Sequence, residues 1–433
     1  MKNPFKKHNN TDEPKTTESR TTSSGFEFLE KIATYFNLQP QKEKVLRHED
    51  FNRAGDTYYA TVSAGYKVTQ RLVSVVLAFF LVISLVTNFS EITYDNFFYL
   101  IKDFSDAVDV EQSDYDTVSY TSDTRHFFSL YKGGLVVVNP STLAVYTATG
   151  RNTMNTTSRF SSPCVESSDK YFAVYDTAGT TFSIYNSFSR IYSEDLEYPI
   201  TGVCFADDQS MAVITKDISH KSLVHIYNKN FKKKFTVPSD KYAFDVAISS
   251  EADRMAICYY DIGDGSGTSE IVIRKYSDME EIEQISIDGE FVLKCGFISK
   301  DRFAVVTDRS IRIYNKNFDE WNSHRYSAAA VSGFFLDKNG VAVSYTENSK
   351  NIAVIFDKSG SLVYNDMIND NVKDIGICEQ FAFFRTDSGI IRINTLNGEE
   401  EFLPSGQGKM LLYGLDTALV CGDSKAEYLV FGN

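Results

Sequence analysis

Apolar and polar positions along the chain fall into three regimes with different periodicities. Residues 1–24 (MKNPFKKHNNTDEPKTTESRTTSS) are polar, Ser/Thr-rich and almost without apolar side chains. Such a stretch cannot bury enough surface to offset its conformational entropy, so it is read as a disordered tail. Residues 25–71 follow, with Phe28, Leu29, Ile32, Phe36 and Leu38 near helical spacing and Ser24 placed to cap them. That pattern predicts a short amphipathic helix. Residues 72–89 (LVSVVLAFFLVISLVTNF) carry no charge and have about the minimum length for a membrane-crossing helix. Ser74 and Ser84, its internal polar residues, are small enough to bond back to the helix backbone.

Beyond a linker at 90–105 the pattern shifts to short apolar runs of strand length, separated by turns rich in Asp, Gly, Ser and Thr. The hexapeptide IYNKNF occurs twice, beginning at Ile226 and at Ile313, a spacing of 87 residues that two repeats of about 43 produce. A weaker form of the repeat, strand–turn–strand, occurs eight times: at 126–140, 171–186, 211–228, 255–276, 303–315, 341–357, 381–394 and 417–433. Further strands precede and follow most of these, as in ITGVCFADD (200–208) and KKFTVP (233–238). Four antiparallel strands recurring at this period predict an all-β fold, a β-propeller over 106–433 with eight blades, or seven if one turn is miscounted. The last hairpin ends where a fourth strand is still owed. The segment 106–112 (DAVDVEQ) is the expected donor, closing the ring with an N-terminal strand.

Charge adds a direction. Residues 1–71 carry 12 Lys/Arg against 9 Asp/Glu, whereas 91–433 carry 32 against 49. Lys67 and Arg71 precede the apolar segment, and Glu91, Asp95, Asp103, Asp106, Asp109 and Glu111 follow it. Positive charge marks the cytoplasmic side, so the reading is a single-pass signal anchor with its N-terminus inside and the propeller outside. A buried core helix and a cleaved signal peptide are the alternatives. The first lacks a polar stripe, and the second does not start 70 residues into a chain. Tyr94, Phe97, Phe98 and Tyr99 would form the outer aromatic belt. The acidic propeller excludes nucleic acid as its partner.

From its repeats, the region 106–433 resembles the WD40-like propellers in the broad sense. The whole layout is similar to membrane-anchored propeller proteins of Gram-positive bacteria, of the domain-of-unknown-function type. This resemblance implies an architecture and no activity. The Gly-His and Trp-Asp dipeptides of WD40 repeats are missing, and Trp321 is the single tryptophan, so the docked tryptophans of quinoprotein propellers are missing as well.

Candidate chemistry is sparse. An acid recurs in or beside the turn after the second strand, in seven of the eight repeats: Asp176, Asp217, Asp261, Asp308, Glu347, Asp387 and Asp423. In a propeller these turns share one rim, which gives either a ligand-binding acidic ring or simply good turn residues. Lys229, Lys232, Lys233 and Lys234 cluster in a third-to-fourth-strand turn on the opposite rim, where the membrane linker enters. With Arg71 they are the expected lipid contacts, set against the plainer reading of a solvated turn. The six cysteines read as small core residues, with disulfides or a metal site as alternatives and no C-x-x-C pair present. The turn at Asp261–Gly267 lacks the ligand spacing of a calcium loop. The six histidines have no metal spacing, and no nucleophile elbow, Walker loop or G-x-G-x-x-G stands in its required context.

The expectation is therefore a non-catalytic scaffold at the cell envelope, without metal or cofactor, binding the lipid bilayer and an envelope protein, peptide or wall polymer. The competing expectation is an envelope hydrolase or lyase acting in the central channel. First strands rich in Cys, Gly, Val, Phe and Ser disfavour it.

Overall fold

A computed structural model describes residues 53–87, 117–123, 125–261, 267–326 and 330–432. The chain divides into two compact units, Met1–Ile101 and Lys102–Asn433.

The first unit contains helix α1 (Arg53–Thr87), 35 residues without a proline. Its stretch Gly65–Ile83 is long and apolar enough to cross a membrane, and none of it is buried. Phe79 and Phe80 are 68% and 65% exposed. The Ser74 hydroxyl donates to the Gln70 carbonyl at 2.9 Å, which satisfies it inside the helix. The helix starts well before residue 72, running back through a stretch expected to be a separate segment. Once an apolar helix is nucleated, each added residue closes another backbone hydrogen bond, so the polar residues upstream extend it. The helix expected around Phe28, the belt residues Tyr94, Phe97, Phe98 and Tyr99, and the segment 106–112 lie outside the described residues.

The second unit is a propeller of eight four-stranded antiparallel blades, and its described strands are numbered β1–β32 in chain order. The first strands of successive blades are β2 (Phe127–Tyr131), β6 (Pro163–Ser167), β10 (Ile200–Phe205) and β14 (Tyr242–Ile248). Next come β18 (Val292–Ser299), β22 (Ala330–Asp337), β26 (Val372–Cys378) and β30 (Lys409–Leu412). Each contacts the first strand of the next blade, and β30 contacts β2, so they form a closed inner ring.

Why these sequences form blades follows from burial. Second and third strands are mostly apolar and mostly buried, most completely in β3 (Gly134–Val138). Fourth strands alternate, as in β21 (Glu320–Arg325), where every second residue faces water. The core is eight clusters, one at each blade junction. At the junction of blades four and five, for example, Ala256, Ile271 and Ile273 meet Phe303, Val305 and Tyr314. A blade alone would leave both faces wet, so the junctions stabilise the ring. Gly296 illustrates how tight they are, because a Cβ there would lie 2.2 Å from the Leu336 side chain of the next blade.

The repeated hexapeptide forms the third-to-fourth-strand turn of blades three and five. The Asn228 carboxamide accepts the N–H groups of Asn230 and Lys232 at 3.0 and 3.1 Å, and Asn315 does the same with Asn317 and Asp319 at 2.8 and 3.1 Å. Phe231 and Phe318 take positive φ (57° and 64°) in these turns. Each then packs into the junction beside it.

Two expectations are corrected. The closing strand is β1 (Thr117–Ser119), which pairs with β32 (Lys425–Val430) through Val118 opposite Ala426; the donor lies beyond the expected 106–112. The hairpin at 126–140 is the first and second strand of blade one, whereas the other seven hairpins are second and third strands. The second-to-third turn of blade one is built on Asn139 instead of an acid; its carboxamide accepts the N–H groups of Ser141 and Thr142 at 2.8 and 2.7 Å.

Candidate functional site

The propeller offers two rims and an inner ring. On the second-to-third-turn rim the acids act largely within the fold. Asp176 accepts the backbone N–H groups of Ser161 and Ser162 at 3.0 and 2.5 Å, tying its turn to the loop that enters β6. Asp308 does the same for Phe291 at 2.8 Å. Asp217 accepts the His220 N–H at 2.7 Å, and Asp387 accepts from the Asn371 carboxamide at 3.1 Å. Asp261 pairs with Lys221 at 3.6 Å. Carboxylates that receive backbone N–H groups define the turn itself. Asp423 contributes through its main chain, accepting the Asp123 N–H at 3.0 Å beside the closing strand.

On the other rim Lys229, Lys232, Lys233 and Lys234 are all exposed. Lys233 pairs with Glu194 at 3.4 Å and lies over the Tyr227 ring, while Lys234 lies over Phe235. Lys229 and Lys232 extend into solvent. β1 runs antiparallel to β32 with Ser119 opposite Lys425, so Thr117 starts on this lysine-bearing rim.

The inner ring holds what the sequence pattern alone does not reveal. Five first strands carry a β-bulge near their start, and the residue after the bulge is Gly202, Asp245, Lys294, Gly333 or Asp374. A bulge re-aims the following side chain. Asp245 accepts the Lys294 ammonium at 2.8 Å through one oxygen and the Cys295 N–H at 3.0 Å through the other. Asp374 repeats this with the Lys409 ammonium at 3.0 Å and the Met410 N–H at 2.9 Å. Both clamps reach from one blade to the first strand of the next. First strands, read from the sequence as rich in Cys, Gly, Val, Phe and Ser, thus also carry paired ionisable side chains.

Electrostatics connects these groups across the axis. Burial works against the Lys294 charge, but the Asp245 carboxylate outweighs it and holds the ammonium above its ordinary value. Burial pushes the Glu166 carboxyl up; Lys294 counters this and Asp245 adds to it. Glu166 belongs to blade two and its partners to blades four and five, so their mutual influence runs through the channel. Burial also pushes the Cys204 thiol up to about 12, against the pull of Lys294. The signal in the sequence is a charged residue two or three positions into a first strand, as in FDV, LKC and VKD; without knowledge of the bulges its direction is unreadable.

Cys164, Cys204, Cys295 and Cys378 lie on first strands and Cys258 and Cys421 on second strands; all six are free, and Cys258, Cys295 and Cys421 are buried. Asp245, Cys258 and Cys295 bring their ligand-type atoms within 4.8 Å of one another, one such group among the described residues. Two further polar knots are structural. Glu290 is 6% exposed and receives Thr307, Ser310 and Arg312, whose donors together hold its carboxyl below the ordinary value despite burial. Arg392 donates to Glu401 at 2.7 Å and to the Gly432 carbonyl at 2.6 Å, between the Phe381 and Phe431 rings.

Fold and ring together define a WD40-like β-propeller of eight blades, closed by an N-terminal strand. The chain belongs to the family of unknown function DUF5711, whose model matches residues 108–411. Among solved structures, Saccharomyces cerevisiae Sqt1 superposes with a TM-score of 0.56 at 9% identity, covering 74% of this chain and all of that one. Kuenenia stuttgartiensis hydrazine synthase matches with a TM-score of 0.47 at 9% identity over 67% of this chain and 97% of that one. The Neurospora crassa Pan2 WD40 domain gives 0.44 at 9% identity over 62% and 90%. The Sqt1 likeness speaks to fold alone. No curated protein matched the chain.

Proposed function

We propose that this protein is a single-pass membrane protein whose propeller stands outside the cytoplasmic membrane as a non-catalytic binding scaffold. The observation that carries the reading is α1: none of its stretch Gly65–Ile83 is buried, and from Leu72 onward that stretch carries no charge on any side, as a helix in lipid requires. Lys67 and Arg71 before Leu72, and the acids from Glu91 onward, favour an inside N-terminus. The partner is an envelope protein, a peptide or a wall polymer, met by the acid-bearing rim, while Lys229, Lys232 and the N-terminal entry face anionic lipid. Arg71 serves the inner interface. A membrane-impermeant amine reagent tests the topology, since it should label Lys229 and Lys232 in intact cells. Labelling only after lysis would overturn the orientation. Capture of envelope extracts on the full-length chain in detergent then identifies the ligand.

A second reading has a specific observation behind it. Glu166, Asp245 and Lys294, on the first strands of blades two, four and five, influence one another electrostatically, which suits an envelope hydrolase or lyase more than the sequence suggested. Turnover of a glycan or lactone that Glu166→Gln abolishes, with the fold intact by circular dichroism, would favour it over the scaffold.

A further inference from the structure

Cys258 and Cys295 come from different blades and meet inside one junction. Cys258 lies on β15 (Arg254–Asp261), the second strand of blade four, directly opposite Asp245. Cys295 lies on β18, the first strand of blade five, and its N–H is held by the Asp245 carboxylate at 3.0 Å. Asp245 therefore places both residues, Cys258 through strand pairing and Cys295 through its carboxylate. The two sulfurs are 2.8 Å apart, and the residues are 0% and 1% exposed. Non-bonded carbons rest about 3.5–4.0 Å apart and sulfur is larger, so this separation lies between a contact and a bond of about 2.0 Å.

We propose that Cys258 and Cys295 form a disulfide that staples blade four to blade five. The proposal rests on the extracytoplasmic reading for the compartment in which a disulfide oxidant is met. The chemistry is thiol–disulfide exchange with a small-molecule or protein disulfide. One thiolate attacks the oxidant's S–S bond, giving a mixed disulfide and one released thiol. The second cysteine then displaces the remaining oxidant half as a second thiol. Two cysteine thiols are oxidised, one disulfide is reduced to two thiols, and the protons end on the released thiols.

A metal ion fits the same atoms poorly. Burial raises both thiols, Cys295 well above its ordinary value, and a metal needs them deprotonated. The Lys294 ammonium already occupies the Asp245 carboxylate. The raised thiols and full burial also make the bond structural, formed while the junction is still open, rather than a reversible switch.

The test uses the full-length chain in detergent. It is held in glutathione redox buffers a few degrees below its unfolding midpoint, then denatured and alkylated. With oxidised glutathione in excess, four of the six cysteines should be alkylated, and peptides containing 258 and 295 should be linked. The unfolding midpoint should rise by roughly 5 °C or more, because the bond closes a long loop in the unfolded chain. Cys258→Ala and Cys295→Ala should each leave five alkylated thiols and no rise. Six alkylated thiols at every ratio, or a link between other cysteines, would overturn the pairing. The oxidant is supplied in the tube, so this result is independent of the side of the membrane on which the lysine labelling places the propeller.

Discussion

His225 stands in the middle of blade three, on the third strand, with Thr215 on one neighbouring strand and Thr236 on the other. Its ring nitrogens lie 3.2 Å from each of the two hydroxyls. Burial, with help from the nearby Lys233, lowers its pKa to about 4, and the opposing Glu194 and Asp217 do not restore it. In the unfolded chain the value is about 6.5. The fold therefore keeps the ring neutral where the unfolded chain would protonate it. The full contribution is present above about pH 6.5 and is lost progressively as pH falls towards 4, with no further change below. Urea midpoints followed from pH 7 to 4.5 should fall less steeply for His225→Gln, by up to about one proton's worth of slope. Identical slopes for wild type and variant would show that the ring is not buried neutral. At this scale the sequence is legible where local chemistry decides. Asp176 and Asp308 are recognisable as turn acids because a short carboxylate bonds nearby N–H groups. Asp245, Lys294 and Asp374 are not, because their direction depends on bulges set by pairing with the next strand.

The elements are legible in proportion to their length and periodicity. Second and third strands declare themselves as continuous apolar runs. β1 does not: Thr117–Ser119 is three residues with one apolar side chain, and nothing local distinguishes it from a loop. Its identity comes from the slot it fills, where Val118 is fully buried among Leu135, Val137, Leu419 and Ala426. The Tyr120 hydroxyl donates to the Gly422 carbonyl at 2.7 Å beside it. The segment 106–112 alternates more convincingly, and local pattern alone therefore favours it. A pair of substitutions separates the two assignments. Val118→Asp in the full-length chain places an unpaired carboxylate in the closing junction and should cost about 3 kcal/mol or more. Val110→Asp, within the segment that local pattern favours, should stay within about 0.5 kcal/mol of wild type. Thermal unfolding followed by circular dichroism reads both, and equal losses would remove β1 as the clasp.

For the whole molecule, repetition makes the propeller legible from the chain alone. Eight similar junctions need eight similar sequences, and the two IYNKNF copies supply the period. The ligand is not legible in the same way. The rim proposed to bind is assembled from turns that are far apart in sequence, so no single stretch records it. The proposed anchor lies between these cases, being read from composition alone and testable by composition alone. Leu77 and Phe80 sit near the middle of the apolar stretch and are 58% and 65% exposed on α1. An arginine at the centre of a membrane helix costs about 2.5–3.5 kcal/mol to insert, so Leu77→Arg with Phe80→Arg imposes that penalty twice. The wild-type chain should remain in the membrane pellet after alkaline carbonate extraction, and the double variant should move largely to the supernatant. Strand content by circular dichroism serves as the control that the propeller is still folded. A wild-type chain released by carbonate would remove the anchor, and with it the reason for placing the propeller at the envelope.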